Sequence, residues 1–234
     1  MNTLFWQEEK DEREPYRAPE NVLDVSFKVD CRMLPIDHAQ ALSDALRHAL
    51  PWLPEEPLAA VHTIHVAESG NGWIRPEDVD HDVLYLSRRT RLTVRVPVHR
   101  VRSTCALAGT CLDIAGNTLV VGEATVRKLV PMSTVFSRYV IANEVEDESR
   151  FLDAVYRQLL ALGIRPRKMM PGKQHTVRTD NGPQLTRSLM LAELQLEESV
   201  LLQEHGIGPG RQIGCGIFLP HKGIEAVGKP QSSA

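Results

Sequence analysis

Cysteine is scarce in this chain and never clustered: Cys31, Cys105, Cys111 and Cys215 form no CxxC pair. That scatter argues against a zinc site, and it fits reduced thiols in a cytoplasmic protein better than a disulfide framework. No apolar run approaches the roughly 20 residues that cross a bilayer, so no membrane partner is expected. The first twenty residues, MNTLFWQEEKDEREPYRAPE, lack a basic start leading into an apolar segment, and no signal peptide is expected. Aromatic residues are only 5% of the sequence, which disfavours a surface that grips nucleobases by stacking. No Gly-Lys-Ser/Thr marks a P-loop, and no glycine loop leads from a strand into a helix as a dinucleotide site requires. Neither a cofactor nor a metal is expected.

What is present reads as globular. With 234 residues, 42% hydrophobic and 24% charged, the chain can form one large domain or two small ones. The net charge of −3 comes entirely from residues 1–20, which hold six acids and three bases. Two later stretches are basic: residues 85–102 carry six arginines and no acid, and residues 164–178 carry five bases and no acid. Such clusters bind phosphate even when total charge is near zero, although solvated faces account equally well for either one alone.

Periodicity predicts the elements. VLDVSFKV (22–29) alternates as a strand, and IDHAQALSDALRHALPWL places Ile36, Ala39, Leu42, Leu46 and Ala49 on one helical face, with Asp37 as cap and Pro51 as stop. AVHTIHVAE (60–68) reads as a strand, followed by an SGNG turn. In RTRLTVRV (89–96), Arg89, Arg91, Thr93 and Arg95 face one side, and Leu92, Val94 and Val96 the other. A short helix near 98–108 and a hairpin about IAGN complete a β-α-β-β-α-β order. The order then restarts. TVFSRYVIAN (134–143) is a strand, and ESRFLDAVYRQLLALG is a helix with Phe151, Val155, Leu159 and Leu162 inward, ended by Gly163. RPRKMMPGKQHTVR reads as an irregular basic hairpin, LTRSLMLAELQL (185–196) as a long strand, EESVLLQEH as a short helix and IGCGIFLP as a last strand. The expected fold is α+β, two tandem ferredoxin-like domains: a leader at 1–20, domains at 21–131 and 132–222, and a tail at 223–234.

GIGPGRQIGCGIFLP puts Gly206, Gly208, Gly210, Gly214 and Gly216 around Arg211, between the last helix and the last strand. Glycine weakens regular structure, so this density implies a backbone approaching either a phosphate chain or a neighbouring strand. Glycine-hydrophobic-glycine, five residues that include a base, then glycine-hydrophobic-glycine is the C-terminal signature of the CRISPR-associated repeat-RNA endoribonucleases of the "Cas six" type, and residues 206–216 satisfy every position of it. LPIDHAQALSDAL, RTRLTVRVP, LLALGIRP and LQEHGIG also resemble the Myxan-like branch of that family, so the likeness covers roughly residues 22–222.

The resemblance implies metal-independent cleavage of one phosphodiester per CRISPR repeat by attack of the ribose 2′-OH on its own 3′-phosphate. It implies as partners a repeat RNA hairpin, the mature guide RNA, and other Cascade subunits. It also implies a catalytic histidine at the start of the first helix, which is His38. The positive helix N-terminus favours the neutral imidazole that a general base needs; an exposed first-turn histidine without a role is the competing reading. Arg89, Arg91, Arg165, Arg167, Lys168 and Arg211 are the candidate RNA contacts. His62 and His65, three apart on the predicted strand, point to opposite faces and make a poor metal pair. A non-catalytic repeat-RNA-binding subunit of a Cascade-type complex is the alternative function.

Overall fold

A computed structural model of the chain describes residues 16–65, 83–142 and 145–222. Most of the leader, the SGNG turn, the end of the predicted strand 60–68, His81 and the tail at 223–234 lie outside the described residues. The first half runs β1 (Val22–Asp30), β2 (Met33–Pro35), α1 (Ala39–Ala49), β3 (Ala60–Val61), β4 (Val83–Tyr85), β5 (Arg91–Pro97), α2 (Val101–Cys105), β6 (Cys111–Ile114) and β7 (Asn117–Lys128). The second runs β8 (Val135–Val140), α3 (Glu148–Ala161), β9 (Lys168–Thr179), β10 (Gly182–Ala192), α4 (Leu196–His205) and β11 (Leu219–Pro220). Sheet order is β3-β5-β1-β7 in the first half, with β6 added outside β7, and β11-β8-β10-β9 in the second. All these pairings are antiparallel, with the first strand of each half inside its sheet, the ferredoxin-like arrangement twice over.

Each sheet buries one face on its own helices. Val25 and Phe27 on β1 pair with Val94 and Leu92 on β5, and Leu42, Leu46 and Leu50 of the first helical segment cover that face. In the second half Phe151, Val155 and Leu159 of α3 pack against Val135, Leu189 and Leu191, with Leu162 at the helix edge. Asp147 caps α3 by accepting from the Arg150 amide, and Gly163 (φ +79°) closes it. The IAGN turn holds Ala115 and Gly116 in left-handed conformation, as a two-residue hairpin turn requires.

Four local expectations need correction. Helix α1 begins one residue later than a cap at Asp37 would set it; His38 is the N-cap residue, and Asp37 lies 3.7 Å from Arg178 on β9 instead. The RPRKMMPGKQHTVR segment is a regular strand, β9, forming a hairpin with β10. Its Pro171 and Gly172 are tolerated because β9 is an edge strand, and the register slips at Ser188, which fills the space over Gly172. Strand β3 stops at Val61, and His62–His65 continue without strand pairing of their own beyond one bond from the His62 amide to Thr93. The last strand is reduced to Leu219–Pro220, because left-handed glycines and a 3-10 turn at Arg211–Ile213 occupy the rest.

Candidate functional site

The glycine loop lies where the two halves meet. All five glycines have positive φ, between +65° and +85°. At Gly216 a β-carbon would run into the carbonyl of Ile207, and at Gly208 into the carbonyl of Ile141 just beyond β8. Gly214 is pressed against Thr63 of the first half. The Gly216 amide donates to the Tyr139 carbonyl at 2.6 Å, and the Ile207 amide donates to the Gly216 carbonyl at 3.2 Å. Gly206, Gly208 and Gly216 are pressed against protein backbone, whereas Gly210 and Gly214 are packed mainly on side chains of Ile141, Ile213, Cys215 and Thr63.

Arg211, a candidate RNA contact, is engaged within the protein. Its Nη2 donates to the carbonyls of Leu58 (3.1 Å) and Glu204 (2.8 Å), joining the first half to the end of α4. Burial lowers its pKa to about 10, a shift enlarged by Arg95 and opposed by Asp24. Its nitrogens Nε and Nη1 are buried as well. Gln212 extends the seam, donating to the Leu53 carbonyl at 2.7 Å and accepting from Arg47 at 3.1 Å.

Sequence reasoning placed Arg95 on a face with Arg89 and Arg91 but not in the interior. Its side chain is fully buried. It forms a two-bond pair with Asp24 on β1 (2.8 and 2.9 Å), and Nη1 donates to the carbonyls of Gln203 (2.8 Å) and Phe218 (3.1 Å) in the second half. Burial pushes the Asp24 carboxyl up, but the Arg95 charge and hydrogen bonds prevail and hold it well below the usual carboxylate range. His62 stands 3.6 Å from the same carboxylate, and burial lowers its pKa despite that neighbour. The signal available beforehand was register: Asp24 lies directly across from Arg95.

His38 stands at the start of α1, as its N-cap residue, and its ring is turned into the protein. It is 3% exposed. Nδ1–H donates to the carbonyls of Pro35 (2.9 Å) and Ile36 (3.1 Å), and Nε2 accepts from the Ile64 amide at 3.0 Å. Carbonyls only accept and amides only donate, so these partners fix the neutral Nδ1–H tautomer. Burial lowers its pKa, outweighing the raising effect of the two carbonyls and of Asp37. With both nitrogens engaged inside the protein, His38 is in this structure a clamp on Ile64.

The group beside that clamp reaches the surface. His65 is exposed, and its Nε2 lies 2.8 Å from Thr63 Oγ1. Its ring centre is 6.3 Å from that of Tyr139 on β8, which in turn meets His175 on β9 edge-on at 5.5 Å. Next to these rings is a cavity of about 120 Å³ lined in part by His62, Thr63, Phe136, Arg138 and Tyr139. Tyr139 and His175 carried no signal in the sequence, since nothing local places residues of different strands around one ring.

The basic candidates separate into two groups. Arg89 is exposed at the turn before β5, and Arg91 is half-exposed with Nη1 held by the carbonyls of Arg88 and Thr90. Arg165, Arg167 and Lys168 are exposed at the start of β9. The first group belongs to the first half of the molecule and the second to the second half. Among the described residues no three His, Cys, Asp or Glu side chains are grouped to hold a metal ion, and no helix is long and apolar enough to cross a membrane.

A family model described as Cas6 Crispr matches residues 23–223. The CRISPR-associated endonuclease Cas6 of Myxococcus xanthus (strain DK1622) is 32% identical over 198 residues, covering 85% of this chain and 81% of that protein. Among solved structures, a CRISPR associated protein Cas6 superposes with a TM-score of 0.61 at 11% identity, over 86% of this chain and 99% of its own. A RAMP protein described as binding different RNA substrates gives 0.56 at 14% identity, over 85% and 98%. The product of a Cas6-related gene from Pyrococcus furiosus gives 0.55 at 13% identity, over 84% and 97%. These three likenesses concern the fold.

Proposed function

The chain belongs to the Cas6 family, and from that premise we propose that it is a metal-independent endoribonuclease that cuts CRISPR repeat RNA and stays with its product as a Cascade subunit. The observation that carries this reading is the 32% identity to the Myxococcus endonuclease over most of both chains. The reaction needs no nucleophile from the protein. The ribose 2′-OH attacks the adjacent phosphorus, the bond from phosphorus to the 5′-oxygen breaks, and the products end in a 2′,3′-cyclic phosphate and a 5′-OH. The protein holds the 2′-OH in line, moves two protons and stabilises the phosphorane charge.

In this reading the glycine loop and Arg211 set the spacing of the halves, and His38 holds Ile64. Exposed Arg138, beside the seam, supplies phosphate contacts there, and Arg89 and Arg91 supply others on the first half. Arg165, Arg167 and Lys168 hold a second stretch of the same RNA. Binding of this kind is electrostatic and salt-sensitive.

The binding-only subunit gains from one observation, the burial of His38 with both ring nitrogens engaged. Purified protein incubated with repeat RNA in EDTA separates the two readings. Cleavage to a 2′,3′-cyclic phosphate, abolished by a 2′-deoxy substitution at the cut site, supports the enzyme. Tight binding without any cut supports the alternative.

A further inference from the structure

We propose that His65 and His175, arranged about Tyr139, are the proton-transfer groups of the cleavage reaction. The inference rests on the endoribonuclease reading and names the groups that do its chemistry. Three framework features converge on these rings. His38 holds the Ile64 amide, fixing the backbone next to His65. Gly214 is packed on Thr63, whose hydroxyl lies 2.8 Å from His65 Nε2. The Gly216 amide holds the carbonyl of Tyr139 itself at 2.6 Å. The glycine signature and the early-helix histidine thus act on one spot, from opposite sides of the seam.

That spot has the composition the chemistry needs. Two imidazoles stand about one phenol, at 6.3 and 5.5 Å between ring centres. An acid and a base serving the same phosphodiester each lie within about 3 Å of their own oxygen, on opposite sides of the phosphorus. They are therefore separated by several ångström, and His65 and His175 both stand within such a distance of the same Tyr139 ring. Arg138, exposed beside Tyr139, offers a cation for the phosphorane oxygens, and the 120 Å³ cavity leaves room beside the rings. In the balanced step one neutral imidazole takes the proton of the 2′-OH as the new bond to phosphorus forms. The other, protonated, gives its proton to the departing 5′-oxygen, and exchange with water restores both.

The test is single-turnover cleavage of repeat RNA by wild type, His65→Ala, His175→Ala, His175→Gln and Tyr139→Phe, from pH 5 to 9. Binding of the 2′-deoxy RNA and thermal unfolding are measured on the same samples. The expected results are a bell-shaped rate profile for wild type and a 10²–10⁴-fold loss for either histidine variant, with one limb of the bell missing in each. Binding and unfolding remain near wild type, a combination that a structural role alone does not produce. Tyr139→Phe keeps the ring and tells whether the phenolic hydroxyl takes part: a loss of tenfold or more adds it to the centre, and an unchanged rate leaves the histidine pair as the centre. If wild type cuts and the histidine variants cut within threefold of it with both limbs intact, this centre is overturned and the endoribonuclease reading stands. If wild type binds and cuts no repeat RNA, the endoribonuclease reading falls and the centre with it.

Discussion

Replacing His38 with alanine tests the largest departure from the sequence reading. The substitution removes the acceptor for a buried amide, that of Ile64, whose side chain is 1% exposed, and the donor to Pro35 and Ile36. An unsatisfied buried amide costs about 1–3 kcal/mol, and the space left by the ring adds to it, for about 2–4 kcal/mol in all. For a chain of this size that is a fall in Tm of roughly 4–16 °C. There is also a pH signature. The folded pKa of His38 lies below its ordinary 6.5, so below that pH the unfolded chain takes up more protons than the folded one, and stability falls as pH drops. His62 acts in the same direction. His38→Ala therefore loses stability at pH 7.5 and shows a shallower decline from pH 7 to pH 5. Thermal unfolding across that range measures both effects, and cleavage at a temperature well below either Tm measures what remains of the activity. A variant that melts like wild type yet loses cleavage a hundredfold, with RNA affinity retained, would refute the clamp and restore the imidazole as the base.

Other perturbations follow from the same seam. Gly216→Ala, at φ +65° with the Ile207 carbonyl in the way, is expected to cost about 2–5 kcal/mol; unfolding in urea reads it, and an unchanged midpoint contradicts the packing argument. Arg95→Ala strands the Asp24 carboxylate and is expected to cost about 3–5 kcal/mol, with partial recovery in Arg95→Met combined with Asp24→Leu. Replacing Arg165, Arg167 and Lys168 together with alanine is expected to flatten the dependence of log K on log salt by about 2–3 without slowing bound-state cleavage; an unchanged slope removes these residues from the RNA path.

Topology was legible because it follows from periodicity. The inward faces of α3 and β5 are spaced as their elements demand, and the restart after Pro131 gave the second sheet. Positions decided by long-range contact were not legible. Arg95 alternates like Arg89, which is exposed, and Arg91, which is half-exposed, and only pairing with Asp24 and the arrival of Gln203 and Phe218 make it a core residue. His38 looked like an exposed first-turn residue because the segment that covers it, at Ile64, is 26 residues away. The loop of five glycines was located correctly, but glycine marks close approach without saying to what. The stretches at Arg165–Lys168 and Arg89–Arg91 read as equivalent basic runs, and only the fold assigns them to different halves.

The seam also bears on how such a molecule selects its substrate. Ile141, Thr63 and Tyr139 take up the spine of the glycine turn, while Arg211 and Arg95 anchor each half to carbonyls of the other. The halves are thus bolted to each other at fixed points. Any ligand that spans the seam therefore meets two surfaces already held in position, and no closing motion of the halves is needed to bring them together.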